Sequence, residues 1–244
     1  MPEQLPFTEL LNHAFAGPVT SLLHALGIQV TYPHAPISNA VAMQILVAAV
    51  LIIFFVLVRL RLSPDNPGGL QHTAEGLENF IKGQSHDIIG HGSEPFTAFL
   101  SALFVFILIC NLIGLVPGFE SPTAVPSVPL GCAICAFIYY HLHGLKKQGP
   151  WHYAKHFAGP IPALAPLMVP IEIISHAARV LSLTVRLYAN MFAGDMVTLA
   201  FFSLVPIVVP VAFLGLHIFV SLLQAYIFAL LTMVYLAGAV ATEH

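Results

Sequence analysis

Long apolar runs without a single charge restrict the fold of this sequence more than any other feature. No Asp, Glu, Lys or Arg occurs between Glu9 and Arg59. Of the 244 residues, 58% are hydrophobic and 8% are charged, against about 25% charged residues in a typical soluble domain. So few ionic groups cannot cover that much apolar surface in water. The sequence therefore predicts an all-α polytopic membrane protein and excludes a soluble enzyme, a disordered chain and a coiled coil. A formal net charge of −3 also argues against binding of nucleic acid.

Five segments are long and apolar enough to cross a membrane, which takes a helix of about 20 residues. Apolar runs and the charges and prolines that interrupt them place these spans at 37–58, 96–116, 128–145, 163–204 and 211–241. The fourth is too long for one upright crossing at about 1.5 Å per residue, so we expect it to tilt. Prolines 206 and 210 mark a turn, after which the fifth span completes a long C-terminal helical hairpin.

We predict one integral membrane domain over residues 1–244, with 1–36 as an external N-terminal segment. Residues 1–36 lack the basic start and the clear cleavage site of a signal peptide, so we expect the first span to be retained.

The positive charges outside the spans fall on one side of the five predicted spans. They occur in the loop after span one and in the loop after span three, whereas the N-terminus and the segments 117–127 and 203–210 contain no Lys or Arg. Loops rich in Lys and Arg remain in the cytoplasm. The predicted orientation therefore has the N-terminus outside and the C-terminus in the cytoplasm.

Two segments have the pattern of amphipathic helices that lie along the membrane surface. In residues 75–89, apolar side chains recur near helical spacing with charged residues between them. In residues 148–158, three aromatic residues stand beside Lys155 and His156, as in an aromatic belt. A solvated loop helix without a function is the alternative for both segments.

Two arginines lie inside the fourth span, where an arginine at the bilayer centre costs about 2.5–3.5 kcal/mol. Arg179 is near enough to the cytoplasmic end to extend its side chain there, but Arg186 lies two helical turns deeper and needs an anion or water. At about 100° per residue, Glu172 shares a face with both arginines. The same face carries Ser175, Ser182 and Asn190. A hydrogen-bonded seam between helices is the alternative, but the two arginines favour an ion pathway or a charge partner.

A carboxylate and an imidazole are predicted to meet near the outer side. Asp195 lies on the face of the helix opposite Arg186 and about 13–14 Å further along, so it is not expected to form a direct salt bridge with that arginine. His217 and Gln224 share a face of the fifth span, and the antiparallel hairpin places His217 at the depth of Asp195. Such a pair can relay protons through water. A hydrogen-bonded core histidine is the alternative for His217.

The arrangement predicts two half-paths separated by a fixed positive charge. Asp195 and His217 lie on the outer side of Arg186, and Glu172 lies on its inner side. Arginine does not titrate, but it repels an entering proton and keeps a nearby carboxylate charged. A mobile acid must carry the proton past it, and no further deep acid in the sequence can do so. We therefore expect the carrier to belong to another subunit.

These segments resemble subunit a of the F-type ATP synthase, the stator of its membrane motor. The resemblance is carried by residues 182–195, with the pattern Arg-Leu-aromatic-x-Asn-Met-aromatic-Ala-Gly-acid, and by residues 223–232. Weaker matches at 111–117 and 121–124 extend it over spans two to five. It implies a proton-translocating subunit without a catalytic site, metal or cofactor of its own. The implied partners are a rotating ring of c subunits, the b subunits of the peripheral stalk and the lipids of a bacterial-type plasma (inner) membrane.

The resemblance also implies a role for each matching residue. Arg186 would face the ring and keep each passing ring carboxylate ionised. Asn190, Asp195, His217 and Gln224 would border the outer half-channel, and Glu172 and Ser182 would lie toward the inner one. Many relatives carry Asp or Asn shortly after the segment that matches 122–124, whereas this sequence has Val125, Pro126 and Ser127. Polar lining from those three positions is therefore not predicted.

A membrane oxidoreductase subunit resembling a b-type cytochrome is the alternative function, because the sequence contains 13 histidines. Haem requires pairs of axial histidines that face each other within the membrane. The deep histidines are chiefly His176 and His217, which the topology predicts at different depths. The sequence leaves open whether protons or sodium ions are carried, since the resemblance places the ion-selecting carboxylate in the ring.

Overall fold

The computed structural model describes residues 4–27, 32–63, 68–116, 118–149, 165–204 and 208–241. These residues form seven α-helices and one short 3-10 helix. The helices are α1 (Pro6–Ala25), α2 (Asn39–Leu60), α3 (Gly69–Ile89), α4 (Glu94–Ile113), α5 (Ser127–Gln148), α6 (Ala165–Leu204) and α7 (Val208–Val240), and the 3-10 helix is Pro122–Ala124.

Five helices in the described part of the chain are long and apolar enough to cross a membrane, namely α2, α4, α5, α6 and α7. The predicted all-α polytopic membrane fold with five spans is therefore confirmed. The fourth span is a helix of 40 residues, as its sequence length indicated. Pro210, predicted in the turn of the hairpin, lies in the first turn of α7, where backbone N–H groups have no partner within the helix. The tilt of α6 stays a prediction.

Helices α4, α5, α6 and α7 enclose the buried core. Fully buried side chains from all four meet there, including Leu100, Ala133, Leu187 and Phe228. Helices α6 and α7 pack along each other as an antiparallel pair, with Gly194 beside His217 at one level. Helix α2 is peripheral and packs on α4, on the 3-10 helix and on α1.

Helix α3 contains the first segment that was predicted to lie on the membrane surface. Its apolar face packs on α4 and α7, with Ile81 fully buried and Leu77 against the same core. The Tyr226 hydroxyl donates a hydrogen bond to Gln84 Oε1 at 2.8 Å. The helix is therefore attached to the bundle rather than being a free, solvated loop helix. In the second predicted segment, 148–158, the aromatic and charged residues lie outside the described residues.

The predicted N-terminal segment 1–36 contains a helix, α1, that the sequence analysis did not predict. The side chain of Asn12 accepts a hydrogen bond from Ile37 N at 3.0 Å and donates one to Ile37 O at 3.1 Å. Ser38 Oγ then caps α2 by accepting from Val41 N. These bonds join α1 to the start of α2.

Hydrogen bonds between helix termini define the two ends of the bundle. Gln148 Nε2 donates to the carbonyl oxygens of Ala239 and Ala241, so α5 and α7 end together. At the opposite end, Asn39 Nδ2 donates to Glu120 Oε1, which joins the start of α2 to the loop after α4. Lys146 and Lys147 lie in the last turn of α5, and Arg59 lies in the last turn of α2. These basic residues thus share one end, called the basic end below, and the other is called the Glu120 end.

Gly114 lies where the loop after α4 turns back over the helix terminus. An added Cβ would stand 2.8 Å from Ser121 Cβ and 2.9 Å from Ser121 N. Ser121 cannot easily move, because its hydroxyl donates to Cys110 O at 3.1 Å. We expect Gly114→Ala to lower the free energy of unfolding by about 1–3 kcal/mol through overpacking, measured as earlier thermal unfolding of the detergent-purified protein.

Gly131→Ala is the matched control, because a Cβ at this position of α5 meets nothing within 4 Å. It should unfold at the temperature of the unchanged protein or slightly above it, because alanine is more favourable than glycine inside a helix by about 0.5–1 kcal/mol. Equal unfolding temperatures for the two variants would contradict the packing argument.

Candidate functional site

The predicted site residues lie along two adjacent helices. Between Glu172 and Asp195 there are 23 helical steps of α6, a length of about 35 Å. Seven steps separate His217 from Gln224 on α7, a length of about 10 Å. The full predicted set is Glu172, Ser182, Arg186, Asn190 and Asp195 on α6, and His217 and Gln224 on α7.

Arg186 is half-buried. It lies on α6 between the side that packs in the core and the exposed side, which is called the free face below. Its Nη2 donates a hydrogen bond to Ser182 Oγ at 3.3 Å. On one side, Leu183 and Leu187 are buried, and on the other Val185 is exposed. Within the described ranges, no carboxylate pairs with this guanidinium. A membrane-embedded arginine is stabilised by an anion, by backbone carbonyls or by water, and among the described residues this guanidinium is bonded to a hydroxyl rather than to an anion.

The structure brings Asp195 and His217 together across the hairpin. His217 Nε2 lies 3.9 Å from Asp195 Oδ1, in a histidine that is 6% exposed. The distance exceeds that of a direct hydrogen bond, and among the described residues this nitrogen has no hydrogen-bond partner. A bridging water or a small rotation would complete the contact. The two groups therefore occupy the same depth, near the Glu120 end.

The glycine before Asp195 creates the space for the imidazole. A Cβ on Gly194 would lie 2.7 Å from His217 Nδ1 and 3.0 Å from His217 Cε1. Any larger residue would displace the ring from its position beside Asp195. Gly194 belongs to the motif at residues 182–195, but the sequence alone predicted no role for it.

A cavity of about 610 Å³ opens beside this pair. Glu120 and Ser121 line it together with Asp195 and His217. Of the segment 125–127, Val125 alone contributes to the lining, so this segment supplies no polar side chain to the cavity. Sequence reasoning missed Glu120, although it is the one acidic residue between positions 117 and 127.

A hydrogen bond joins the two helices one turn from Arg186. Asn190 Nδ2 donates to Gln224 Oε1 at 2.8 Å, and Gln224 is 3% exposed. Both residues were predicted as site residues, but their pairing was not. The bond holds α6 and α7 in register between Arg186 and the Asp195–His217 pair.

Beneath the cavity lies a buried polar network that includes Ser121. Thr123 Oγ1 donates to Asn111 Oδ1 at 2.7 Å, and its hydroxyl lies 2.9 Å from that of Ser121. Asn111 Nδ2 donates to Ser221 O at 3.1 Å. The network connects the loop after α4 to α7 and so supports the floor of the cavity.

A second acid–histidine pair lies toward the basic end. Glu172 Oε1 is 3.3 Å from His176 Nε2, and His176 Nδ1 is 3.0 Å from the Tyr140 hydroxyl. Arg179 shares the polar face of α6, but its guanidinium lies over the ring of Tyr235 on α7, 5.1 Å from the ring centroid. Sequence reasoning considered His176 only as a haem ligand.

The two deep histidines cannot ligate one haem. His176 contacts Tyr140 of α5, whereas His217 lies against Gly194, 18 steps and about 27 Å further along α6. In the ranges that the structure describes, no cluster of three His, Cys, Asp or Glu side chains could hold a metal ion.

The fold and the site define a polytopic membrane protein with a fixed cation between two acid–histidine pairs. Comparison with known sequences gives the family. The family described as ATP synthase A chain matches residues 41–237. The chain is 58% identical over 244 residues to ATP synthase subunit a of Koribacter versatilis, with 100% of both chains covered. It is 54% identical over 236 residues to that of Solibacter usitatus, covering 96% of this chain and 100% of the relative. For that of Geotalea uraniireducens the identity is 40% over 207 residues, with 85% and 90% covered. The chain belongs to the ATP synthase subunit a family, and is thus a multi-pass membrane subunit of that complex.

Proposed function

We propose that this chain is the proton-translocating stator subunit of an F-type ATP synthase, which offers two offset half-channels to a rotating ring of c subunits. The observation that carries the proposal is the position of Arg186, half-buried at the edge of a free helix face and without a carboxylate partner among the described residues. A passing acid of another subunit would supply the missing anion.

The free face of α6 suits a close and moving contact. Its exposed side chains include several small ones, namely Ala178, Ser182, Ala189 and Ala193, between larger apolar residues. Small residues allow neighbouring helices to approach closely in a membrane. A ring helix that slides over this face brings its acid to Arg186, where the positive charge favours the ionised form and the proton leaves.

The outer half-path begins in the cavity at the Glu120 end. Glu120 supplies a polar group at the loop, and Asp195 with His217 forms the next exchange site. The bonded amides of Asn190 and Gln224 then lead toward Arg186. Protons would pass through water and these groups to the ring acid, driven by about 2.3 kcal/mol per charge per 100 mV.

The inner half-path lies on the other side of Arg186. Glu172 is partly exposed there, and Ser182 is hydrogen-bonded to the guanidinium. Because arginine does not titrate, it separates the two half-paths and prevents a direct leak. The basic end would face the cytoplasm of a bacterial-type cell, with the N-terminus outside, and b subunits of the peripheral stalk would hold the chain against rotation. The chain itself would catalyse no step.

Disulfide cross-linking tests the proposed contact with the ring. With Cys110, Cys132 and Cys135 replaced, we expect Ala189→Cys to cross-link to a cysteine placed beside the buried acid of a c subunit. Ala189 is exposed on the free face, one turn from Arg186. The product is measured as an a–c band on a non-reducing gel.

Ala177→Cys is the matched control, because Ala177 is exposed toward the groove between α5 and α6. We expect no a–c product from it. Cross-linking from position 177 but not from 189 would mean that the ring does not occupy the proposed face.

A further inference from the structure

His176 lies in a chain of polar side chains whose purpose the proposed half-paths do not explain. Its Nε2 is 3.3 Å from Glu172 Oε1, and its Nδ1 is 3.0 Å from the Tyr140 hydroxyl. The exposed fraction of the side chain falls from 28% for Glu172 to 11% for His176. Tyr140 is buried. The chain thus leads from an accessible acid into the interface between α5 and α6.

This geometry accepts the imidazole in either protonation state. When the ring is neutral, Nδ1–H donates to the tyrosine oxygen and Nε2 accepts from the Glu172 carboxyl. When the ring is protonated, both nitrogens donate and the tyrosine oxygen accepts. A proton can therefore be gained or lost without movement of the ring. Imidazole ordinarily changes its charge between pH 5 and 8, which is the range in which cells work.

The charged and titratable groups around His176 favour exchange with Glu172. On α6 these groups are Glu172 and Arg179, and on α5 they are Tyr140 and His141, whose ring centroid lies 4.7 Å from that of His176. Helix α7 contributes Tyr235, over which the Arg179 guanidinium is held. Among these described neighbours, Glu172 carries the one carboxyl group, and its Oε1 lies 3.3 Å from His176 Nε2. It is therefore the group that stabilises an added proton on the ring.

We propose that His176 is a second proton-exchanging group of the inner half-path, and that Tyr140 is its positioning residue. In the step, the proton of a neutral Glu172 carboxyl moves to His176 Nε2, which leaves a carboxylate and an imidazolium, and the reverse step returns it. No other atom changes its bonding. The inference rests on the proposed function, since it gives Glu172 a partner within the inner half-path. Its consequence is that the inner half-path can be loaded at a higher pH than a carboxyl alone allows.

ATP-driven proton pumping by the whole ATP synthase in lipid vesicles tests this proposal. Pumping takes up protons on the side where ATP is hydrolysed, so the pH of that side is varied while the other is held constant. His176→Gln keeps an amide donor and acceptor but cannot hold a proton. We expect it to pump several times more slowly, a smaller loss than removal of a sole proton-transfer group causes, because Glu172 remains. We also expect its half-maximal pH on the uptake side to move toward acid by about one unit or more.

Two further variants separate proton exchange from packing. Tyr140→Phe removes the hydroxyl and is expected to lower the pumping rate by about twofold without moving the half-maximal pH. His143→Gln is the matched control on α5, where Nδ1 lies 2.9 Å from Tyr139 O, and should leave both quantities unchanged. A His176→Gln enzyme with the unchanged rate and pH profile would overturn the proposal. A Tyr140→Phe shift equal to that of His176→Gln would overturn the positioning role.

Arg186→Ala in the same vesicles distinguishes a failure of the proposed function from a failure of the role of His176. If it pumps normally, the proposed function fails. If it stops pumping while His176→Gln behaves as the unchanged enzyme, only the present inference fails. Should His176→Gln not assemble, Glu172→Gln gives the answer with His176 in place. The pumping that remains in Glu172→Gln should then fall as the pH rises through the range in which an imidazole loses its proton. Remaining pumping that does not depend on pH would overturn the inference.

Discussion

Replacement of Arg186 by alanine should abolish proton-driven ATP synthesis while the chain still inserts into the membrane. On the proposed function, the guanidinium is the fixed charge that ionises a passing ring acid and separates the two half-paths, and no carboxylate of the described residues pairs with it. We expect at least about a 10²-fold loss, the size of effect seen when a single preorganised charge-stabilising group is removed. The rate of ATP synthesis in inverted membrane vesicles measures it.

Arg179→Ala is the control for the same substitution on the same helix. Its guanidinium lies over the ring of Tyr235, an interaction of about 0.5–2 kcal/mol. We expect less of this variant in the membrane but continued synthesis per assembled complex. An Arg186→Ala enzyme that makes ATP at the normal rate, with equal amounts of subunit in the membrane, would disprove the stator proposal.

A single methyl group on Gly194 should slow proton flow about as much as the loss of the histidine beside it. A Cβ at this position would stand 2.7 Å from His217 Nδ1, so the ring must leave its place 3.9 Å from Asp195. We expect Gly194→Ala and His217→Ala each to reduce proton flow by about 10²-fold, the lower end of what a positioned proton-transfer group contributes, since that group is lost in both. Passive proton flow through vesicles containing the complex, with the potential clamped, measures both.

The double variant Gly194→Ala with His217→Ala tests whether the effect of Gly194 depends on His217. Because both changes remove the same group, the double variant should conduct as the His217→Ala single does, rather than showing the product of two losses. Gly215→Ala is the matched control on α7, where an added Cβ meets nothing within 4 Å. Multiplicative losses in the double variant would show that Gly194 acts by some route other than the position of His217.

The two acid–histidine pairs differ in how they are built, which bears on their proposed roles. Asp195 and His217 belong to different helices, so their separation depends on the packing of the hairpin and on the small size of Gly194. Glu172 and His176 are one turn apart on the same helix, and the Tyr140 hydroxyl from α5 holds Nδ1 of the imidazole. On the proposed function, a change in hairpin register would therefore affect the outer half-path first, since the inner pair is local to α6.

The same difference explains which site residues could be found without a structure. The run around Arg186 is a continuous motif on one helix, so residue types and spacing along the chain were sufficient to single out Asn190 and Asp195. Glu120, by contrast, lies 75 positions before Asp195, and only the return of the loop after α4 places both in one cavity. The pairing of Asn190 with Gln224 likewise depends on how far α7 is displaced along α6.

The sequence by itself determined the class of fold, the number of spans and the unusual length of the fourth. Hydropathy is sufficient for this because a segment in lipid must be apolar and must satisfy its own backbone hydrogen bonds as a helix. Only the tertiary structure decided that α1 is a helix bonded to the start of α2, and that α3 packs on the bundle. It alone placed the ring of His217 in the space left by Gly194 and the ring of His176 against Tyr140. Contacts of this kind depend on the rotation and offset of each helix against its neighbours. Those are set by the collective packing of side chains far apart in the chain, which no periodicity along one segment can report.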